Sequence, residues 1–176
     1  MSSVDISANG DHIVVGTYAG NSCRLYLFGK DSSTPLWSND YDNGYGVDSV
    51  SITPDGEHIA IADSHGFHLL GKDSNSSLWS SGGGGSTARE VDLSDDGQYI
   101  IMSSRRDWAS PSEVVVTKKD TSLWWEHTIE GSAKVDISAD GKYVVIGAEN
   151  KVSYFSIDSS TPIWNYTTSE YVANYT

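Results

Sequence analysis

Three aspartates occupy one register of a segment that recurs four times along the 176-residue chain. Asp5, Asp92 and Asp136 each follow a valine and precede Ile or Leu, and Ser51 takes that place in the remaining copy. Carboxylates gathered by a repeat are oxygen ligands of the type a hard cation such as Ca²⁺ takes, so these three are the candidate metal ligands. The expected reading is structural instead, each carboxylate accepting hydrogen bonds from backbone or hydroxyl groups of the adjoining repeat. The second concentration of chemistry is Arg105-Arg-Asp-Trp-Ala-Ser-Pro-Ser112. Arg and Trp are over-represented at binding hot spots, and two adjacent cations stand out where 11 Lys and Arg face 24 Asp and Glu. Arg105, Arg106 and Trp108, with Tyr45 and Arg89 from neighbouring loops, form the candidate binding set. The plainer alternative has both arginines pairing with nearby carboxylates.

The remaining reactive residues assemble no recognisable reaction. His12, His58, His65, His68 and His127 lack metal-ligand spacing. His12 and His58 fall where Tyr99 and Tyr143 stand in other copies, a half-exposed strand site, and His65 and His68 are placed to face one another across a bend. A Ser/His/Asp triad stays open in so Ser-rich a chain, but no nucleophile elbow accompanies it. No Gly-rich phosphate cradle is found. Cys23 stands alone in Cys23-Arg-Leu-Tyr-Leu-Phe28, where a small buried thiol is expected. No catalytic residue and no cofactor is therefore assigned, and the chain is expected not to be an enzyme.

Net charge narrows the partners. At −13 with pI near 4.5, the chain repels phosphate backbones and anionic lipid, so neither nucleic acid nor a membrane surface is an expected partner. No apolar stretch approaches the length of a membrane span. Residues 1–20 lack a basic segment followed by an apolar core, which leaves a cytoplasmic protein, or an extracellular, cell-surface one if a signal segment has been removed. Asn75-Ser-Ser, Asn165-Tyr-Thr and Asn174-Tyr-Thr are glycosylation acceptors by pattern.

What must position these residues is the repeat. Lys134–Gly147, KVDISADGKYVVIG, has copies opening at Val4, Val50 and Val91, and the valines at 4, 50, 91 and 135 lie 46, 41 and 44 residues apart. Each copy holds a short strand, an Asn-Gly or Asp-Gly turn and a second apolar strand, the pattern of a β-hairpin. Two further strand signals follow in every copy: Cys23–Phe28 and Leu36–Tyr41, Phe67–Leu70 and Leu78–Ser80, Glu113–Thr117 and Leu123–Ile129, Val152–Ile157 and Ile163–Thr167. No window has helical periodicity or capping signals. Four strands per unit, joined by short polar turns, describe the blade of an all-β propeller. The blades fall near residues 3–41, 47–81, 89–129 and 133–168 of a single module, with 171–176 as the first strand of a next blade.

Asp31-Ser-Ser-Thr-Pro-Leu-Trp37, Asp73-Ser-Asn-Ser-Ser-Leu-Trp79 and Asp158-Ser-Ser-Thr-Pro-Ile-Trp164 resemble the tryptophan-docking signature of PQQ-like repeats. The hairpins resemble WD40-like repeats, and the whole is similar to archaeal surface-protein propellers. Pro35 and Pro162 stand where the PQQ-like pattern has Gly, and the third copy, Asp120 to Trp124, is two residues short. The resemblance implies that Trp37, Trp79, Trp124 and Trp164 wedge neighbouring blades together, with Trp125 an outlier. A quinoprotein dehydrogenase is the enzymatic alternative it carries, against which stand the modest size and the lone Cys23; a hydrolase is the other.

Counting 13, 12 and 11 residues from each docking Trp to Val50, Val91 and Val135 puts residue 175 at the start of a fifth unit. The array is then cut blade to blade, and a head-to-tail homodimer of eight blades is expected beside a four-blade ring. The Ser81-Gly-Gly-Gly-Gly-Ser86 run keeps a truncated or engineered, self-assembling fragment open as well. The function expected is a non-catalytic scaffold for protein or glycan partners.

Overall fold

A hydroxyl, a carboxylate or amide, and a glycine set at fixed spacing make the first turn of every repeat. The hydroxyls of Ser7, Thr53, Ser94 and Ser138 accept the N–H of His12, His58, Tyr99 and Tyr143, each at 3.0 Å. The same hydroxyls donate to Asn9, Asp55, Asp96 and Asp140 at 2.6–2.8 Å. One side chain thus fastens both limbs of the hairpin, while Gly10, Gly56, Gly97 and Gly141 carry φ of 72°, 75°, 62° and 66°. Only glycine reaches that region without steric cost, which fixes where the chain reverses.

The computed structural model describes residues 3–17, 22–42, 46–82, 87–120 and 122–168. Four antiparallel sheets follow one another in chain order. The first holds β1 (Ser3–Ile6), β2 (His12–Gly16), β3 (Ser22–Gly29) and β4 (Trp37–Asp42). The second holds β5 (Val47–Ile52), β6 (His58–Asp63), β7 (Gly66–Gly71) and β8 (Ser77–Gly82). The third holds β9 (Thr87–Leu93), β10 (Tyr99–Arg105), β11 (Ser112–Lys118) and β12 (Leu123–Ile129). The fourth holds β13 (Ala133–Ile137), β14 (Tyr143–Ala148), β15 (Lys151–Ser156) and β16 (Trp164–Thr167). Each sheet is an up-and-down meander, and successive sheets pack face to face through their first strands. The protein is an all-β propeller module of four four-stranded blades. Residues 171–176, taken from sequence as the first strand of a next blade, lie outside the described residues.

The apolar core is divided by junction. One buried cluster joins Val14, Leu25 and Leu27 of the first blade to Val47, Val50 and Ile52 of the second. Another joins Ala60, Ala62 and Leu69 to Val91 and Leu93, and a third joins Ile101, Val114, Val116 and Trp125 to Ile137, Val144 and Phe155. Each junction repeats one contact. A Cβ placed on Gly56 would lie 2.6 Å from His12 Nδ1, one on Gly97 3.3 Å from His58 Nδ1, and one on Gly141 3.0 Å from the Tyr99 ring. The turn glycine of a blade is therefore the floor on which the ring of the preceding blade lies.

The tryptophan signature needs two corrections. Sequence spacing puts Trp124 in the docking register and leaves Trp125 unmatched. In the structure Trp125 pairs with Val116, as Trp37 pairs with Leu27 and Trp79 with Leu69. The ladder then jumps from Val116–Trp125 to Thr117–Leu123, skipping Trp124 in a bulge. The second blade has the same slip, from Leu69–Trp79 to Leu70–Ser77, and Trp125, buried at the third junction, donates Nε1–H to Ile157 O at 2.8 Å. The side chains of Trp124 and Cys23 lie outside those described. A second correction concerns Trp164, which is 47% exposed and wedges no blade within this chain.

Candidate binding face

The long connection between β10 and β11 is held from within. Arg105 closes the β10–β11 ladder opposite Ser112. Its guanidinium turns over the loop, donating Nε–H to Ser110 O at 2.7 Å and Nη2–H to Trp108 O. Asp107 Oδ1 accepts the N–H groups of Ala109 and Ser110, both at 2.9 Å. Hydrogen bonds from Ser110 and from Ala109 N–H hold the Asp107 carboxyl below the ordinary carboxylate range. The carboxylate pairing weighed as the alternative for Arg105 is replaced by these carbonyl contacts.

This bracing has a consequence at the tip. Trp108 is 87% exposed, and Arg106 beside it is exposed too. A shallow cleft opens next to them, lined by Ser104, Arg105, Arg106, Ser110, Pro111, Glu113 and Thr128. Glu113 and Thr128 face each other across β11 and β12, and neither stood out in the sequence. Only the pairing of the strands shows that they reach the cleft. Arg89 sits in the β9 bulge, where the β10 partners pass from Glu90 to Ala88, and pairs with Asp48 of the second blade at 3.3 Å. Burial raises the Asp48 carboxyl, and the Arg89 charge opposes that shift. Arg89 thus ties two blades together, separate from the Arg105–Trp108 group, and Tyr45 lies outside the described residues.

Near the axis Asp5 and Asp92 are occupied by backbone N–H groups. Asp5 accepts Ile6 N–H on one oxygen and Ile52 N–H of the next blade on the other, both at 2.8 Å. Asp92 accepts Leu93 N–H and the Ser51 hydroxyl on Oδ1, each at 2.9 Å, and Ile137 N–H on Oδ2 at 3.1 Å. Every junction is stapled by one of these carboxylates, with Ser51 serving as donor where aspartate is missing. Asp5 and Asp92 are thereby engaged by backbone and hydroxyl donors, Asp136 stands close enough to Asp92 to raise its carboxyl, and among the described residues no three His, Cys, Asp or Glu side chains gather around a metal position.

A constellation that spacing did not single out lies in the second blade. Asp63, buried, accepts His65 N–H at 2.7 Å and Gly66 N–H at 3.1 Å, closing the β6–β7 turn. His68 Nε2 lies 3.4 Å from Asp63, and His68 Nδ1 lies 2.9 Å from Ser80 Oγ on β8. His65 and His68 thus converge on one carboxylate instead of on each other. The ladder Asp63–His68–Ser80 pins three strands and has the residue types of a hydrolytic triad.

No family model matches the chain, and no curated protein matches it. Solved structures do. A chain of the Kuenenia stuttgartiensis hydrazine synthase superposes with TM-score 0.73 at 15% identity, covering 94% of this chain and 48% of that one. The Cps50 (Swd1) β-propeller domain of Myceliophteria thermophila superposes with TM-score 0.75 at 9% identity, covering 97% of this chain and 58% of that one. At such identities the likeness is one of fold, and this chain spans about half the length of these two structures. Among the described residues no helix is long and apolar enough to cross a membrane.

Proposed function

We propose that the protein is a non-catalytic propeller scaffold that binds a partner protein through the loop face carrying Trp108. One observation carries this reading: an indole 87% exposed on a loop whose backbone is tied by Arg105 and Asp107. Large aromatic surface held rigidly in water is costly unless something covers it, and a pre-ordered loop loses little entropy on binding. Arg106 supplies a charged contact beside the ring, and the cleft along Glu113 offers a seat for a side chain. WD40-like propellers typically act as protein-interaction modules, which adds support from fold alone. The test is a peptide display library and a glycan array presented to the wild type and to the double variant Arg106→Ala/Trp108→Ala. Peptides retained by the wild type and lost by the variant are expected. Capture of glycans alone moves the reading to a lectin, and binders indifferent to the variant overturn it.

The Asp63–His68–Ser80 ladder supports a second reading, a hydrolase with Ser80 as nucleophile and His68 as base. Labelling by a fluorophosphonate that Ser80→Ala abolishes would establish it. Absence of labelling on the native protein returns the ladder to its structural task.

A further inference from the structure

We propose that the leading face of the first blade and the trailing face of the fourth join head to tail between two copies of this chain, making an eight-bladed ring. The proposal stands apart from the loop-face reading and rests on other residues. Each face displays, uncovered, one half of the contact that the three internal junctions complete.

On the trailing side, His12, His58 and Tyr99 each lie over the turn glycine of the following blade, but Tyr143, their counterpart, is 40% exposed. Gly16 receives Val47, whose Cγ1 lies 2.6 Å from where its Cβ would stand, whereas Gly147 at the same place in the fourth blade has no atom within 4 Å. Trp37 and Trp125 dock on the next blade's carbonyls, whereas Trp164 is exposed. Tyr143, Tyr154 and Trp164 stack at 5.4 Å and 5.3 Å into an aromatic ladder across this face.

The leading side shows the complement. Val50, Ile52, Val91, Leu93 and Ile137 are buried against a preceding blade, yet Val4 and Ile6 at the same register are 54% and 55% exposed. Gly10, the counterpart of Gly56, Gly97 and Gly141, has open space where a ring would lie. Tyr143 onto Gly10, Trp164 onto the turn at Lys30, and Val4 toward Gly147, as Val50 lies 3.4 Å from the Cβ position of Gly16, would repeat contacts made at the internal junctions. Faces that complement each other but not themselves join heterologously, and such contacts close into a ring when the rotation allows. Eight blades lie within the common range for such rings. A second copy is the occupant because it brings both missing halves at once.

Light scattering on the native chain, with Ile6→Lys as the head variant and Tyr143→Lys as the tail variant, tests this. The wild type is expected at twice the 19.0 kDa chain mass, and each variant alone at half the wild-type value, because every junction needs one head and one tail. Mixing the two variants restores dimer through the single intact pair of faces. Both substitutions lie at exposed sites, and Ile6→Ser with Tyr143→Ser repeats the experiment should either lysine variant lose its β-sheet spectrum. A monomeric wild type, pointing to other blades or another chain as occupant, overturns the proposal. So does a dimer broken by only one of the two variants, which would mark a face pairing with itself.

Discussion

Trp37 of the first blade donates its indole N–H to the carbonyl of Lys72 in the second, 2.7 Å away. The contact joins a residue at the start of an outer strand to the turn of the neighbouring blade, so the wedge is both apolar and directional. Trp125 makes the same bond to Ile157, whereas Trp79 has a buried Nε1 with no hydrogen-bond partner among the described residues. Replacing Trp37 by Phe should therefore cost about 1–2 kcal/mol, since a carbonyl loses its donor, while Trp79→Phe should cost less than about 1 kcal/mol, as the unmet N–H disappears with the ring edge. Urea midpoints of the two variants measure the difference, and equal losses would show that the bond contributes nothing.

Much of this arrangement is legible in the chain because each repeat solves its backbone problem locally. Ser7, Asn9 and Gly10 fall within four residues, and their hydrogen bonds need no distant partner, so the hairpins can be read directly. The junctions are harder. Trp124 and Trp125 are adjacent, and only the bulge opposite Val116 and Thr117 decides which one docks. The Asp63–His68–Ser80 ladder depends on β8 lying beside β7, a pairing invisible to local spacing. Arg105 turning back on Trp108 and Ser110 is likewise a loop conformation that composition does not specify.

The turn glycines separate two costs that a single substitution usually mixes. Gly10→Ala and Gly56→Ala both force a Cβ into positive φ, which costs about 1 kcal/mol. At Gly56 the new methyl also meets His12 at 2.6 Å, while at Gly10 it meets nothing. Thermal unfolding of the two variants should place Gly56→Ala lower by about 1 kcal/mol or more, the scale of overpacking. Equal melting temperatures would mean that the His12 ring moves aside freely.

Asp63 carries the β6–β7 turn on one buried carboxylate. Asp63→Ala leaves the N–H groups of His65 and Gly66 without their acceptor and should cost about 2–3 kcal/mol. Ser80 is exposed at the outer strand, so Ser80→Ala should cost under about 1 kcal/mol. A denaturant series on both variants checks the order; a larger loss at Ser80 would place the strength of the ladder at its outer end.

Asp92 gives a pH signature with a definite sign. Burial pushes its carboxyl up to about 6 from 3.8, Asp136 adds to the rise, and the hydrogen bonds from Ile137, Leu93 and Ser51 oppose it without cancelling it. Because the folded state holds this proton more tightly than the unfolded chain, the contribution of Asp92 is fully present below about 3.8 and is lost as pH rises through about 6. Asp11, Asp55 and Asp140 shift the other way, Asp140 to about 2 through Lys142 and Ser138, and their contributions vanish only in strong acid. The comparison that isolates Asp92 is wild type against Asp92→Asn, in urea, at pH 4.5 and 7.5. The wild type should lose on the order of 2 kcal/mol more than the variant across that interval. Parallel pH profiles would place the Asp92 proton elsewhere, and the carboxylate would then be a charge held comfortably by its three donors.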